Sequence, residues 1–253
     1  MMKRSIRTDN KGQVIVITAL LIGLLMFSTF VYVTEVINQA PAVETNQNEL
    51  FPQYQQNLKN TLISALANIT SDNNTQVLTQ DLERLNQIFS SHFYGSLLQI
   101  NYTLANTAPY QDGLWISSGQ ENHTAVGAQV SYQLFSVGKS ETSNVVGNVT
   151  IASEVYLSGN SSQIYQATKQ GNLTLQIFNE GMPALASNFS CYYQDGAQWV
   201  RIENFSFTDF GTGTYEMVFS AQLSQPSDPL TVAIYVLDQR GINMRVQAAC
   251  QSS

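Results

Sequence analysis

Residues 128–134 read AQVSYQL, in which Ala128, Val130, Tyr132 and Leu134 alternate with polar residues. Successive side chains of a β-strand point to opposite faces of its sheet, so a period of two predicts a strand with one buried and one solvated face. The same alternation returns after residue 101 in segments 149–157, 173–177, 189–193, 205–207, 232–236 and 242–248. The sequence therefore predicts a mostly β fold built from antiparallel strands.

Glycine beside polar residues marks predicted turns between these segments, at 158–160, 170–172, 195–196 and 239–241. Pro226 and Pro229 bound a further loop. Many short strands separated by such turns are typical of a β-sandwich. We expect a β region over 101–165, followed by an immunoglobulin-like β-sandwich domain over 166–253.

Before residue 101 the apolar residues recur every three or four positions, as they do on one face of a helix. Leu58, Leu62, Ala65, Leu66 and Ile69 form one such set after Pro52, and Leu78, Leu82, Leu85, Ile88, Phe89 and Phe93 form a second. We expect a helical region over 52–100 with two amphipathic helices, the first ending near Ala67 and the second following residues 71–74. The polar segment 37–51, which contains Pro41, predicts a linker.

The N-terminal part carries an uncharged apolar segment. Residues 14–33 read VIVITALLIGLLMFSTFVYV, and a helix of this length crosses the hydrocarbon core of a bilayer. We expect one transmembrane helix within 13–36. Lys3, Arg4, Arg7 and Lys11 form a basic leader over 1–12, and the positive-inside rule places this leader in the cytoplasm and the C-terminal ectodomain outside the cell.

The boundary Lys11-Gly12-Gln13 before the apolar segment resembles the class III signal peptides of archaeal type IV pilin-like proteins. The resemblance covers the N-terminal region only and implies cleavage after Gly12, leaving Gln13 first and the apolar segment in the product. The fifth residue after this cut is Ile17, where the best-known pilins have Glu. An uncut chain and cleavage by signal peptidase at 40–42 are the alternatives.

Composition and charge exclude several classes of protein. The 253 residues carry a net charge of −7, and only 11% are charged, against about 25% in typical globular proteins. Without residues 1–12 the remainder has 7 cations and 17 anions, a net charge of −10. A groove for nucleic acid is therefore excluded. Two cysteines and two histidines do not match the spacing of the common zinc sites.

Nine Asn-X-Ser/Thr sequons follow the apolar segment, an excess over the number expected from composition. They are Asn68, Asn73, Asn101, Asn122, Asn148, Asn160, Asn172, Asn188 and Asn204. Four of them, at 148, 172, 188 and 204, fall on the polar phase of predicted strands, where a glycan would extend into water. We expect most to be glycosylated. The alternative is an unmodified polar surface.

Two cysteines are predicted to face the core. Cys191 shares its strand face with Phe189 and Tyr193, and Cys250 continues the inward series of 242–248. Outside the cell, two inward cysteines on different strands favour a disulfide, so we predict a Cys191–Cys250 bond. Two separate buried thiols are the alternative.

The sequence contains no recognisable catalytic motif. Phosphate-binding loops, HExxH, GxSxG and CxxC are all absent, and neither His92 nor His123 lies in a catalytic context. Calcium binding by loop oxygens near strand ends is an alternative, although the carboxylates there lack the spacing of a calcium loop; they are Asp209, Glu216, Asp228 and Asp238. We expect no catalytic, metal-binding or cofactor-binding residue. Trp115 and Trp199 are expected in the core, with a sugar-binding platform as the alternative.

We therefore expect a single-span, glycosylated cell-surface protein with a structural or binding role, and not an enzyme. Its partners would be membrane lipid around the span and an envelope protein, a glycan or filament subunits. A pilin-like filament subunit is the alternative function, and an exported hydrolase is the second alternative.

Overall fold

The computed structural model describes residues 47–92, 97–120, 122–137, 142–225, 227 and 229–252, together with Met26 and Ser28. Asn48–Ser253 forms one compact unit. Its helices are α1 (Gln47–Asp72) and α2 (Gln76–His92). Its strands are β1 (Leu97–Leu104), β2 (Leu114–Gln120), β3 (His123–Val137), β4 (Thr142–Tyr165), β5 (Thr168–Asn179), β6 (Met182–Pro183), β7 (Ala186–Asp195), β8 (Gln198–Arg201), β9 (Phe205–Asp209), β10 (Thr214–Gln222), β11 (Thr231–Asp238), β12 (Asn243–Ala249) and β13 (Gln251–Ser252).

The large sheet contains nine of these strands. Its order is β1-β3-β4-β5-β10-β9, with β2 also paired to β3, β6 to β5 and β13 to β4. The pairings are antiparallel except that of β13, which runs parallel to β4. The first part of β4 pairs with β3 and its last part pairs with β5. This single strand of 24 residues therefore joins two parts of the sheet.

The small sheet has four antiparallel strands in the order β12-β11-β7-β8 and packs against the large sheet. Phe189 of β7 contacts Tyr215 of β10, with ring centroids 5.3 Å apart. At the other edge, the hydroxyl of Thr124 in β3 donates a hydrogen bond of 2.6 Å to the carbonyl of Arg245 in β12. The inward faces of the two sheets thus form a sandwich.

The two helices pack on another part of the same core. Tyr54 of α1 is fully buried and lies 5.4 Å, centroid to centroid, from Tyr132 of β3. Near the end of α1, the hydroxyl of Thr70 accepts a hydrogen bond of 3.0 Å from the backbone N–H of Asn243. Buried side chains of both helices and both sheets belong to one hydrophobic cluster, and each fully buried leucine contributes about 1.5–3 kcal/mol.

A polar network joins the two sheets at the turn between β11 and β12. The guanidinium of Arg240 donates to the carboxylate of Glu180, the carbonyl of Ala152 and the hydroxyl of Ser153, all on the large-sheet side. It also donates to Asp238 on its own turn at 3.1 Å. Asp238 is only 1% exposed, so it is a buried carboxylate with its charge and hydrogen bonds satisfied within the protein.

The mostly β sandwich and the inward phases of the strands are confirmed, except that Phe207 of β9 is 41% exposed. No helix among the described residues is long and apolar enough to cross a membrane; the predicted transmembrane helix at 13–36 lies outside them except for Met26 and Ser28. The expected immunoglobulin-like domain over 166–253 is incorrect. The larger of the two sheets to which its strands belong continues without a break through β4 into the earlier strands.

Two of the predicted turns are strand interiors. Ser158-Gly159-Asn160 lies within β4, and Gln170-Gly171-Asn172 lies within β5. A Cβ at Gly159 would come within 2.5 Å of the Leu173 side chain, and one at Gly171 within 2.5 Å of Phe219. These glycines therefore allow close approach of packed side chains rather than a change of chain direction. The turns at 195–196 and 239–241 are observed, with positive φ at Gly196 and Gly241.

The helical boundaries also differ from expectation. α1 begins at Gln47, so the last five residues of the predicted linker are helical and Pro52 lies inside the helix. It ends at Asp72 rather than near Ala67. The helical region does not extend to residue 100, because β1 begins at Leu97.

Candidate functional site

The nine sequon asparagines are spread over both helical and sheet regions, and all nine side chains are exposed. Three of them, Asn122, Asn160 and Asn172, line one groove of about 360 Å³. Glycans on these residues would occupy that groove, so it is a poor candidate for binding a separate ligand. Whether the sequons carry sugar remains a prediction.

The predicted disulfide is not formed, because Cys191 and Cys250 are both free. Both thiols are buried in the same core, as their strand phases indicated. The sheet registers keep them apart: Cys191 pairs with Ile234 of β11, whereas Cys250 is hydrogen-bonded at the level of Leu230. The two Cα positions are two strand spacings apart across the sheet and four residues apart along it, a distance of about 16 Å. This is too far for a disulfide bond. Burial raises the pKa of each thiol to about 11.

The other candidate residues do not come together in the described part of the chain. The processing residues Gly12 and Gln13 lie outside the described part of the chain, as does Asp228. Asp209 and Glu216 are exposed, and Asp238 belongs to the Arg240 network. No group of three or more histidine, cysteine or carboxylate side chains converges within the described residues.

The outward face of the small sheet carries an unusual set of side chains, which we call the arginine–aromatic face. Strand pairing places these residues on it: Asn188, Ser190, Tyr192, Gln194, Trp199, Arg201, Thr231, Ala233, Tyr235, Leu237, Asn243, Arg245, Gln247 and Ala249. None of them is acidic. Residues 13–253 have a net charge of −10, so a face with two arginines and no carboxylate contrasts with the rest of the protein.

Arg245 is the centre of this face. Its guanidinium carbon lies 5.4 Å from the ring centroid of Trp199 and 5.5 Å from that of Tyr235. The strands of Arg245 and Trp199 are three spacings apart, about 14 Å, so their side chains must extend toward each other across the sheet. Ala233 faces outward but is only 1% exposed, which indicates that larger side chains cover it.

The rings of this face remain accessible. Trp199 is 37% exposed and Tyr235 is 47% exposed, and Tyr192 meets Tyr235 edge-on with centroids 5.5 Å apart. Trp199 is therefore not a core residue, which corrects the expectation from sequence. Trp115 is half-buried on the outward face of the large sheet.

Stacked rings hold the guanidinium of Arg245 by cation–π attraction. Its N–H groups form no hydrogen bond or ion pair with any described residue. Arg201, the second cation on this face, has Glu203 at 3.8 Å. An arginine with free donors binds a carboxylate through two parallel hydrogen bonds, and the neighbouring rings provide surfaces for stacking. This arrangement can bind a ligand that combines an anionic group with a ring.

The sequence contained a signal for this face that motif searches do not detect. Tyr192, Trp199, Tyr235 and Arg245 all occupy the phase opposite to the buried aliphatic residues, where small polar side chains are expected. The pairing that brings β12 and β8 into one sheet was not predictable, because it depends on β7 and β11 lying between them. Neither protein-family models nor curated proteins show a match to this chain.

Proposed function

We propose that this protein is a membrane-anchored, glycosylated surface protein that binds an acidic saccharide through its arginine–aromatic face. The observation that carries the proposal is Arg245, whose guanidinium lies over two exposed rings on a face whose strand residues include no carboxylate.

The composition of the face favours a saccharide over a protein surface. Apart from its three rings and two arginines, the face consists mainly of amides and hydroxyls, namely Asn188, Ser190, Gln194, Thr231, Asn243 and Gln247. Amides and hydroxyls both donate and accept hydrogen bonds, which suits sugar hydroxyls. The rings of Trp199 and Tyr235 can pack against the apolar side of a sugar ring. The carboxylate of the saccharide would meet Arg245.

Anchoring is supported by the sequence. The apolar segment 14–33 follows four cations within the first eleven residues, and every sequon lies on its C-terminal side. Those features together favour a cytoplasmic leader and an external, glycosylated main part. Protease treatment of intact cells should digest residues 48–253, and N-terminal sequencing should find Gln13 or an uncut chain. Val43 as the first residue would contradict anchoring.

Binding is tested with the full chain in detergent, using a uronic-acid polysaccharide and the same polymer after reduction of its carboxylates to alcohols. We expect the acidic polymer to bind and the reduced polymer to bind at least ten times more weakly. Trp199→Ala and Arg245→Gln should each weaken binding about 30-fold, the effect of a residue worth about 2 kcal/mol at an interface.

Two control variants match the lost groups elsewhere on the surface. Phe210→Ala removes an exposed ring and Arg84→Gln removes an exposed cation, and neither residue lies on the arginine–aromatic face. Both should bind like the wild-type protein. Equal binding of the two polymers, or equal loss in the control variants, would show that binding is not specific to this face.

A further inference from the structure

A second cluster of polar and aromatic side chains lies on the outward face of the large sheet, away from the arginine–aromatic face. We call it the glutamate–aromatic cluster; it consists of Tyr110, Trp115, His123, Glu154 and Tyr156. Strand pairing places Trp115, His123, Glu154 and Tyr156 on the same side of β2, β3 and β4. None of these residues belongs to the arginine–aromatic face.

Glu154 is the centre of the cluster. One of its carboxylate oxygens, Oε2, accepts a hydrogen bond of 2.8 Å from the hydroxyl of Tyr156 and lies 3.2 Å from Nε2 of His123. The imidazole of His123 stacks on the Tyr156 ring with centroids 4.3 Å apart. Phe178 supports the other side of Tyr156, at 5.8 Å. The carboxylate is therefore held in a fixed position by aromatic neighbours.

Small residues beside Glu154 leave room for the other two rings. Ala125 is directly opposite Glu154 in the sheet, and Gly127 is opposite Ala152. The ring of Tyr110 lies over Gly127, where an added Cβ would be 3.5 Å from it. Tyr110 meets Trp115 edge-on, with centroids 6.1 Å apart. The rings of Tyr110 and Trp115 thus flank the surface on one side of the carboxylate, and His123 and Tyr156 flank the other.

No lysine or arginine among the described residues forms an ion pair with Glu154. Among the described residues, its only ion-pair partner is His123, and its second oxygen, Oε1, accepts no hydrogen bond. The side chain is 25% exposed. Its negative potential reaches both tyrosines: hydrogen bonding to Glu154 raises the pKa of Tyr156, and burial together with Glu154 raises the pKa of Tyr110.

A carboxylate with one free oxygen among electron-rich ring faces attracts an organic cation. Ring faces carry negative charge and bind ammonium and guanidinium groups, most strongly where water is partly excluded. A metal ion is disfavoured, because one carboxylate and one imidazole provide too few ligands and no third such group converges here within the described residues. The net charge of −10 on residues 13–253 further favours approach of cations.

We propose that the glutamate–aromatic cluster is a binding site for an ammonium or guanidinium group. The group would contact Oε1 of Glu154 and lie against the rings of Tyr110 and Trp115. This site is independent of the saccharide site, since the two lie on outward faces of different sheets and share no residue.

The probe is choline, and its matched control is 3,3-dimethylbutan-1-ol, which has the same shape without the charge. Binding to the full chain in detergent is followed by NMR of the Trp115 indole and His123 imidazole at constant ionic strength. We expect choline to shift both signals in a saturable way, with at least tenfold weaker binding of the alcohol. Equal binding of the two compounds would overturn the proposal, because it would show an apolar pocket only.

Variants connect binding to the cluster. Glu154→Gln keeps the shape and the acceptor for Tyr156 but removes the charge, so choline affinity should fall at least tenfold. Glu216→Gln removes an exposed carboxylate from β10, outside the cluster, and should leave affinity unchanged. Tyr110→Leu leaves the carboxylate in place and should weaken binding several-fold. Unchanged affinity in folded Glu154→Gln, judged by its circular dichroism spectrum, would refute the site.

A lysine-containing peptide distinguishes the two sources of such a group. Competition between this peptide and choline would assign the natural ligand to a cationic side chain of a protein. Binding of choline without competition by the peptide would assign it to a small organic cation. Loss of saccharide binding in Trp199→Ala should leave choline binding intact, so each proposal can fail without the other.

Discussion

Replacing Asp238 with alanine should destabilise the protein strongly, because this carboxylate holds the turn that joins the two sheets. One oxygen accepts hydrogen bonds from the backbone N–H groups of Arg240 and Ile242 at 2.8 and 2.9 Å. The other accepts from the Arg240 guanidinium at 3.1 Å and from Ser153 at 3.3 Å. Asp238→Ala leaves all four donors without this partner.

The expected cost follows from the burial of these groups. Removing one member of a buried ion pair typically costs about 3–5 kcal/mol, which is a large part of a total stability of about 5–15 kcal/mol. Asp238→Asn keeps an oxygen for the two backbone N–H groups but replaces the acceptor of Arg240 and Ser153 with an N–H₂ donor. It should therefore cost less than Asp238→Ala but still at least about 1–2 kcal/mol. Combining Asp238→Ala with Arg240→Met should cost less than the sum of the single changes, since the two residues interact directly.

Urea unfolding, followed by circular dichroism, measures these differences. Glu216→Ala is the control, because this carboxylate is exposed and no hydrogen bond or ion pair of its side chain is found among the described residues; its effect should stay within about 0.5 kcal/mol. A cost below about 1 kcal/mol for Asp238→Ala, or strict additivity with Arg240→Met, would refute the structural role of the network.

Three further predictions concern packing, thiols and sugars. Gly171→Ala should destabilise the protein by about 1–3 kcal/mol in the same urea assay, because the new methyl group would overlap the ring of Phe219. Cys191 and Cys250 should resist alkylation at pH 8 in the folded protein and react after unfolding, since burial raises the pKa of both thiols to about 11; intact mass showing a disulfide would contradict the structure. Chemical deglycosylation of protein from native cells should lower its mass by several glycans, and an unchanged mass would exclude glycosylation.

The same buried thiols affect stability at alkaline pH. Their folded pKa of about 11 exceeds the ordinary value of 9.0, so the neutral form is favoured in the folded state. The stabilisation of the folded state by these neutral thiols is complete below pH 9 and is lost as the pH rises from 9 to 11. The free energy of unfolding, measured in urea, should therefore fall less between pH 9 and pH 11 in Cys191→Ser than in the wild-type protein.

Local alternation predicted the inward residues of the strands well, because burial of one face imposes a period of two whatever the neighbouring strand is. Val130 and Leu134 of β3, Ile151 of β4 and Val246 of β12 are all buried as expected. Alternation does not identify the partner strand. The disulfide prediction failed for this reason: Cys191 and Cys250 have the right phase but lie at different levels of their sheet.

The turns predicted at two glycines were also wrong. Gly159 and Gly171 have the polar neighbours of turn residues, but each is needed where a side chain from an adjacent element fills the space of a Cβ. Only the three-dimensional arrangement reveals this requirement, since Phe219 is 48 positions from Gly171 in the sequence. Both were predicted to be turns, whereas β4 and β5 each continue through the glycine.

The outward phase of the strands contains the residues of both proposed binding sites, and no catalytic or binding motif marks them. Rings exposed to water on a sheet face contribute little to folding, because the hydrophobic gain comes from burial. Core packing therefore does not explain Trp199 and Tyr235, whose rings lie against the Arg245 guanidinium; we propose that they bind a ligand. Glu154 on the other sheet presents the same pattern with the opposite charge. The charged and aromatic residues of both sites can be found from the sequence by listing the outward-facing residues of each strand. Only the strand order shows that each group forms one surface.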